Sequence, residues 1–564
     1  MNWIDYIVIV IFLLITYIIA VRGKSKEESL DSYFQAKGSF GWFLSGTAMV
    51  ATTFAADTPL SVTELVAANG ISGNWLWWCL VVSSLSTVYF FSHLWKASGV
   101  HTDIELVKLR YDDSDFLRGF KTIYIGVLLN VIILSWVNLA MQKIVQVLFP
   151  EISSELVVTS LMLFAFVYTS ISGLEGISKA DAFQFFLAIG SCILLAIFSV
   201  QYIGGMEVLK QKIKPSHLTI LPSMEAGSIP LKSFLGLIFI ASWSSWYPGS
   251  EPGGGGYIAQ RILAAKDKRN AVFSTLWFTL AHYFLRPWPW ILVALVSGIL
   301  FPNLSPADSG KGFVLMMKEV LPVGFLGLLV SAFLAAYLST IATHLNWGAS
   351  YFIQDLYEPF LSRNKSENEY LRVSKLFQLI ISILSLIVTF YLIDTVSGVW
   401  TFLIQASAGV GFVLIARWYH PRFNSYSEIA GFIFPLILFK IGKFLFEFDY
   451  LGLLLFTSIG TIICVIIILL FTPKVSKETL EKFYLKVCPP GIFWKNWAIA
   501  NNVPLQTSYI SLATSTYLFI GGIFLVLGSL FSVGHLILGN YSYLFLSLPS
   551  VIIGVFITIR FFPK

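Results

Sequence analysis

Residues 51 to 60 read Ala-Thr-Thr-Phe-Ala-Ala-Asp-Thr-Pro-Leu and lie within an apolar run that extends from about residue 40 to 66. Asp57 is ionisable in otherwise apolar surroundings, and Pro59 removes a backbone hydrogen-bond donor. In the hydrocarbon region a charged group costs at least about 2.5 kcal/mol unless it has a partner, a cavity or a function. The stretch therefore predicts either a helix broken near Asp57, with freed carbonyls that can bind a cation, or a proline kink with Asp57 paired to a neighbour.

The chain as a whole has the composition of a membrane protein. Of 564 residues, 56% are apolar and 12% are charged, which is far from the composition of soluble domains. Because a helix of roughly 20 apolar residues crosses a bilayer core, we predict an all-α integral membrane protein with about 15 transmembrane helices. The candidate spans lie at about 3–21, 40–66, 71–97, 118–148, 154–172, 180–204, 232–247, 271–301, 321–358, 369–393, 398–418, 426–445, 450–472, 508–533 and 541–562.

The basic loops set the predicted orientation. Loops such as 261–269 and 474–495 fall on the cytoplasmic side with the other basic loops only if the N-terminus is outside and the C-terminus is cytoplasmic. The net charge of +6 is then explained by cytoplasmic loops that face anionic lipid. We find no motif typical of nucleic-acid binding, so nucleic acid is not an expected partner. The predicted location is the plasma membrane, here a bacterial inner membrane.

Three further polar clusters lie in apolar surroundings. Residues 331–340 place small and hydroxyl side chains together, including the adjacent Ser339 and Thr340; these favour either close helix packing or a Na⁺ site made of oxygen atoms. Residues 243–256 contain two prolines and five glycines, which predict a second discontinuous helix. His282 and Arg286 share one helix face. Arg286 is interpreted either as a recognition residue for an anionic substrate or as a structural partner of Asp57.

Sequence motifs in three places resemble those of the sodium:solute symporter family. The strongest is Leu-Ala-Ala-x-x-Ser-Thr at residues 334–340, closed by Gln-Asp-Leu-Tyr at 354–357. The second is Gln-Arg-x-Leu-Ala-Ala-Lys at 260–266. A weaker match at 178–184 keeps the Asp181 and Gln184 of the family pattern but not its Trp and Thr.

The resemblance implies a leucine-transporter-type core of two inverted five-helix repeats. The first repeat would cover residues 40–204 and the second residues 232–421, as the predicted orientation of the spans also requires. Residues 1–39 would form one extra helix with a cytoplasmic loop. Residues 422–564 would form four extra helices, with a further cytoplasmic loop at 473–507.

The resemblance also implies binding residues. The Na⁺ ligands would be the main-chain carbonyls of Ala51, Phe54 and Ala336 with the hydroxyls of Ser339 and Thr340. Asp181 resembles an acidic residue near the intracellular ion exit of the family. The substrate-binding residues would be Asp57, Thr58, Trp243, Trp246, Tyr247, His282 and Arg286. Because the chain departs from the family pattern at Thr58-Pro59-Leu60 and at residues 248–257, the solute, whether amino acid, sugar or carboxylate, is not implied.

The predicted function is secondary active transport, in which Na⁺ as the coupling ion drives symport of a small polar solute by alternating access. One alternative is a proton-coupled transporter in which Asp57 or Asp181 titrates, and another is a transporter-like membrane sensor. A third is an intramembrane enzyme built on His282, His344 and Asp57. No paired metal-ligand or nucleophile-base spacing supports an enzyme, so we predict none.

Overall fold

The computed structural model describes residues 1–23, 40–223, 226–306 and 308–563, and in these ranges the chain forms helices and no β-strand. Ten helices are long and apolar enough to cross a membrane, or eleven if Val396–Ala406 and Val410–Tyr419, bent by 52°, form one span. This confirms an all-helical, multi-pass membrane protein. The ten are Ile71–Ser98, Asp115–Leu148, Ser154–Ile171, Leu174–Tyr202, Lys268–Leu300, Phe325–Leu361, Glu367–Tyr391, Tyr450–Phe471, Leu512–Ile537 and Tyr541–Phe561.

The other four predicted spans are also helical but are shorter or more polar. They correspond to Trp3–Gly23, the pair Trp42–Thr53 and Asp57–Asn69, Leu231–Ser244, and Ser425–Phe444. The total of about 15 crossings therefore stays a prediction. The predicted spans at 154–172 and 180–204 both fall within the 49-residue helix Ser154–Tyr202. At 1.5 Å per residue this helix is about 74 Å long, and because it is continuous it contains no turn between the two predicted spans. Two separate crossings here stay a prediction.

Shorter helices connect the spans. Lys477–Val487 and Ile492–Ala500 lie inside the predicted loop 473–507 and pack together through the rings of Phe483 and Trp494, 5.5 Å apart. The predicted loop thus contains ordered helices. The remaining short helices include Leu106–Arg110, Met206–Lys212 and Lys311–Val320.

The first predicted helix break is confirmed. Helix Trp42–Thr53 ends, residues 54–56 are not helical, and helix Asp57–Asn69 then begins. Pro59 is the third residue of the new helix, where its missing N–H is one that has no partner within the helix anyway. Asp57 is in the first turn, where a negative charge is favoured by the helix dipole. The alternative of a simple proline kink is wrong.

The second predicted break is confirmed as well. The helical stretch Leu231–Ser244 stops, the chain runs without helix through residues 245–255, and helix Gly256–Leu263 follows. The two prolines at 248 and 252 lie in this interruption. Both breaks therefore occur where backbone chemistry predicts them.

The helix Phe325–Tyr351 lies between the two breaks. The Thr340 hydroxyl donates to the carbonyl of Thr52 beside the first break, at 2.8 Å. The His344 ring lies 5.3 Å from the ring of Tyr257, which follows the second break. In the most apolar 18-residue stretch of the span Phe325–Leu361, 89% is buried inside the protein, whereas the value for Tyr541–Phe561 is 6%. The first is thus the core of the bundle, and the second is suited to face lipid.

Candidate functional site

The two breaks border a cavity of about 570 Å³, counted with the space that is open to solvent. Its wall combines aromatic rings with a few polar groups, which is the usual character of a small-molecule site. Of the predicted substrate-binding residues, Asp57, Thr58, Tyr247 and His282 line it, and so does Thr340 of the predicted ion site. Its other lining residues are Thr52, Thr53, Ala55, Trp77, Leu80, Ile133, Trp136, Val137, Pro248, Ser250, Tyr257, His344 and Trp400.

Asp57 is the acidic residue of this cavity. Its side chain is only 2% exposed, and its Oδ1 has no hydrogen-bond partner among the described residues. Leaving a buried carboxylate oxygen unpaired is costly, so such an atom indicates that a ligand supplies the missing donor. The structure thus places an acceptor, ready for a donor group, at the start of the second half of the broken helix.

Trp243 and Trp246 do not line this cavity. The Trp243 indole donates to the carbonyl of Phe239, 2.8 Å away on its own helix. Trp246 lines a separate apolar cavity with Phe402 and Leu403. Substrate contact by these two residues stays a prediction that the geometry does not favour, whereas the adjacent Tyr247 faces the cavity.

Arg286 is fully buried next to the first break but does not line the cavity. Its guanidinium donates to the Val50 carbonyl at 3.0 Å and contacts His282 Nδ1 at 2.7 Å. It also lies over the rings of Phe54 and Trp290, 5.6 and 5.2 Å from the centroids. No direct ion pair joins it to Asp57 in the described parts of the chain, so the role of Arg286 as a partner of Asp57 stays a prediction. Arg286 instead holds the end of the first half-helix, where a cation is electrostatically favoured.

The predicted ion site is assembled around Thr340. This hydroxyl, 3% exposed, donates to the carbonyls of Thr52 and Ala336, at 2.8 and 3.0 Å. Phe54 closes the end of the preceding half-helix, with its N–H donating to the carbonyl of Ala51 at 3.1 Å. Thr340 and Ala336 of the predicted Na⁺ ligands therefore lie beside the end of the first half-helix, and coordination of an ion there stays a prediction. The oxygens here are hydroxyl and carbonyl groups, a donor set that suits a hard cation.

Ser339 extends this oxygen cluster to Asp181. The Ser339 hydroxyl donates to Asp181 at 2.6 Å, and Arg261 forms an ion pair with the same carboxylate at 3.5 Å. Arg261 also donates to Thr343, whose hydroxyl is 3.1 Å from that of Thr52. The predicted ion-exit residue is thus directly linked to a predicted ion ligand.

Sequence reasoning missed most of the aromatic wall. Trp77, Trp136 and Trp400 line the cavity, although each lies in an ordinary apolar segment, and Tyr257 lines it too. Tyr257 follows the glycine run, which could have drawn attention to it. The three tryptophans carry no local signal, because only the packing of distant helices brings them together.

The sequence of this chain is similar to those of sodium cotransporters. The chain is 25% identical to a sodium/glucose cotransporter of Vibrio parahaemolyticus, over 62% of this chain and 67% of that protein. It is 26% identical to the human sodium/myo-inositol cotransporter 2, over 72% of this chain and 62% of that protein. The matched part thus spans about two thirds of the length of these relatives.

Solved structures share the fold. A Na⁺-coupled sialic acid symporter in a substrate-bound outward-open state superposes with a TM-score of 0.70 at 18% identity, covering 84% of this chain and 99% of that one. Mhp1, a nucleobase-cation-symport-1 family transporter, gives a TM-score of 0.51 at 11% identity, covering 81% and 99%.

The family comparison decides between a transporter and an enzyme. The relatives are cotransporters, so the intramembrane-enzyme alternative is wrong even though His282, His344 and Asp57 line one cavity. The sodium:solute symporter family model matches residues 33–434, which is most of the chain. This chain therefore belongs to the sodium:solute symporter family.

Proposed function

We propose that the protein carries Na⁺ together with a small neutral polyhydroxy solute, a sugar or polyol, across the plasma membrane. One observation carries the proposal: a cavity walled by aromatic rings contains an unpartnered Asp57 oxygen and adjoins the oxygen cluster around Thr340. Sodium-coupled symport is the activity that the family supports. The choice of solute rests on the chemistry of the cavity wall.

The lining groups match a polyhydroxy molecule better than an anion. The carboxylate of Asp57 and the hydroxyls of Thr58 and Ser250 accept hydrogen bonds from hydroxyl groups, while tryptophan and tyrosine rings cover the C–H faces of a sugar ring. None of the described residues that line the cavity is Lys or Arg. The nearby Arg286 does not line it, and its guanidinium contacts Val50 and His282 instead. A carboxylate-bearing solute would therefore find no fixed positive charge.

The proposed Na⁺ ligands are the carbonyls of Ala51, Phe54 and Ala336 with the hydroxyls of Ser339 and Thr340. Thr340 also lines the cavity, so ion and solute would share one wall. If each binds more tightly when the other is present, the coupling must be reciprocal. One charge moving through 100 mV supplies about 2.3 kcal/mol, before the sodium gradient is counted.

The proposed architecture is the one that sequence analysis predicted. It has inverted repeats at 40–204 and 232–421, about 15 crossings, an outer N-terminus and a cytoplasmic C-terminus. The half-helices of the two breaks lie in corresponding positions of these repeats. Rocking of one helix bundle would then expose the bound ion and solute to the cytoplasm.

The solute is tested by thermal unfolding of the purified protein. We expect a sugar or polyol, with myo-inositol and glucose as first probes, to raise the melting temperature more in NaCl than in choline chloride. Amino acids and carboxylates serve as the comparison panel. Stabilisation by a carboxylate alone would refute the assignment of the solute class.

The ion site is tested with the double variant Ser339→Ala, Thr340→Ala in proteoliposomes. Sodium-dependent uptake should be lost, because two proposed ligands are gone. Ser331→Ala is the matched control, since it removes a buried hydroxyl that only donates to Gly327 on the same helix. Unchanged sodium dependence in the double variant would exclude this site.

Proton coupling is the second candidate, and the unpartnered, buried Asp57 oxygen is the observation that favours it. Uptake in sodium-free medium, driven by a pH gradient alone, distinguishes the two ions. We expect none with Na⁺ absent. Full uptake under these conditions would replace Na⁺ by H⁺ as the coupling ion.

A further inference from the structure

The second helix break contains a carboxylate that the proposed solute and ion sites do not use. Glu251 is 2% exposed, and neither of its oxygens has a hydrogen-bond partner among the described residues. No basic side chain forms an ion pair with it in the described parts of the chain. Since a buried charge without compensation is strongly unfavourable, this carboxylate is built to receive a positive ligand.

The backbone encloses this carboxylate closely. A Cβ at Gly256 would lie 2.5 Å from Oε1 of Glu251, so any side chain there would take the place of the carboxylate. Gly256 has φ +56°, a conformation that glycine adopts without strain. At Gly255 a Cβ would lie 3.4 Å from Glu251 and 3.3 Å from the carboxylate of Asp103. The glycine run at 253–256 thus wraps the chain around Glu251 and brings a second carboxylate near it.

Asp103 differs from Glu251 because its own hydrogen bonds are made. It accepts from the Gly256 N–H at 3.2 Å and from the hydroxyl of Tyr351. The nearby cations Lys121 and Arg417 are paired with Glu428, both at 2.8 Å. Glu251 is therefore the acid left without a partner in this region.

Glu251 lines a small cavity of about 220 Å³, counted with the space that is open to solvent, and hydroxyl groups line it as well. Thr87 donates its proton to the carbonyl of Ser83, and Thr275 donates to that of Ala271. Ser84 exchanges a hydrogen bond with Thr279 at 2.8 Å. Because these protons are engaged with neighbouring groups, oxygen lone pairs remain for the cavity. A carboxylate with two or three hydroxyl oxygens is a ligand set for a hard monovalent cation, and this cavity is less than half the volume of the proposed solute cavity.

We propose that Glu251, with the hydroxyl oxygens of Thr87, Ser84 and Thr275, binds a second Na⁺ at the second helix break. The proposal rests on sodium-coupled transport as proposed above, and it adds an ion site that is separate from the one at Thr340. It also gives the glycine run a function, since only glycine allows the backbone to approach the carboxylate at position 256.

The second site would adjoin the solute cavity. Ser250, the residue before Glu251, lines the solute cavity, and its carbonyl accepts from Ser83 on the helix that carries Ser84 and Thr87. A cation that draws Glu251 toward these hydroxyls would fix the position of Ser250. Each ion would then order one of the two breaks that form the solute site.

The test is the number of Na⁺ ions bound per chain, measured with ²²Na⁺ on the purified full-length protein. Wild type should bind two ions and Glu251→Gln one, while the remaining ion shows that the variant is folded. Thr87→Val should weaken the second site several-fold and keep the first. Glu64→Gln is the matched control, because Glu64 is buried in the other broken helix, 4.0 Å from Lys143, and should leave both ions in place.

The outcomes separate this proposal from the proposed function. If wild type and Glu251→Gln bound the same number of Na⁺ ions per chain, the second site would be overturned. It would also be overturned if Glu251→Gln lost only the pH dependence of uptake, because Glu251 would then carry a proton. Absence of Na⁺ binding by wild type would instead overturn sodium coupling itself. Loss of both ions in Glu251→Gln, with the protein still monodisperse, would also overturn two separate sites.

Discussion

Side chains from distant helices hold both helix breaks, but only the second also relies on glycines and prolines within the break. The first spans residues 54–56 and is held by side chains from other helices, with Arg286 donating to the Val50 carbonyl and Thr340 to that of Thr52. The second spans residues 245–255 and is also held from another helix, with Trp95 donating to the Gly253 carbonyl and Ser83 to that of Ser250, both at 2.8 Å. Unlike the first, it contains positive-φ glycines at 249, 253 and 254 and prolines at 248 and 252. Its own backbone conformation, at Gly256 above all, supplies the turn.

This contrast shows two solutions to one problem. Wherever a helix is interrupted inside a membrane, the freed N–H and carbonyl groups need partners. The first break obtains them from long-range side chains, so its integrity depends on single residues far away in sequence. The second also obtains part of them from a distant side chain, Ser407, which accepts from the Trp246 N–H at 2.8 Å and donates to the Trp246 carbonyl at 3.0 Å. The difference lies in the backbone, because the second break turns through glycines of positive φ and the first does not.

Gly256→Ala should have the largest effect, because it replaces a glycine of positive φ at the end of the second break. A left-handed conformation costs a residue with a Cβ about 1–2 kcal/mol, and here the Cβ would also lie 2.5 Å from Glu251 Oε1. We expect a melting temperature lower by several degrees and loss of the second ion. Gly298→Ala is the control, since nothing lies within 4 Å of its Cβ position and it is in the helix Pro287–Leu300. Equal melting temperatures of the two variants would show that the glycine run is dispensable.

Arg286→Lys tests the side-chain hydrogen bond that holds the first break, from Arg286 to the Val50 carbonyl. A lysine ammonium cannot reproduce the planar arrangement that reaches Val50 and His282 together, and a lost hydrogen bond to a charged group costs about 1.5–3 kcal/mol. Stability and sodium-dependent uptake should both fall. Arg269→Lys is the control, because Arg269 only lies over the ring of Phe273, 5.7 Å from its centroid. If Arg286→Lys behaved like this control, side-chain clamping would not hold the first break.

Both breaks could be predicted from the sequence, since proline and glycine restrict the backbone locally. Pro59 and the glycines at 253–256 act within a few residues, so their effect needs no knowledge of the fold. The Ser339 and Thr340 pair was also found, because its motif resembles that of a known family. Both breaks lie in the structure where the sequence predicts them.

The contacts across the bundle could not be predicted. Arg286 was predicted to contact the substrate or Asp57. Its guanidinium instead donates to the carbonyl of Val50, 236 positions earlier in the chain, and contacts His282 on its own helix. Trp246 was grouped with Tyr247 by proximity in sequence, but outside a regular helix successive side chains can face different cavities. Such outcomes depend on how distant helices pack, and a single sequence carries no signal for that.

Thr340→Val should have a smaller effect, confined to the ion at the first break. It removes one hydroxyl that bridges to Thr52, and a neutral hydrogen bond contributes about 0.5–1.5 kcal/mol. We expect the sodium concentration for half-maximal uptake to rise by roughly three- to tenfold, while the Glu251 site still binds its ion. Thr389→Val is the control, since that buried hydroxyl donates to Ser135 and Ser385 away from both breaks. A shift of the same size in the control would assign the effect to general destabilisation.

The smallest effects should come from the two adjacent aromatic residues of the second break. Tyr247→Phe removes a hydroxyl from a ring that lines the solute cavity, so the KM for solute should rise a few-fold without a change in sodium affinity. Trp246→Phe changes a ring that lines the other cavity with Phe402 and Leu403, so the KM should stay close to wild type. Uptake at varied solute concentration measures both. The reverse order would mean that the second break presents its other side to the solute during transport, and the solute would then have to be placed between Trp246 and Phe402.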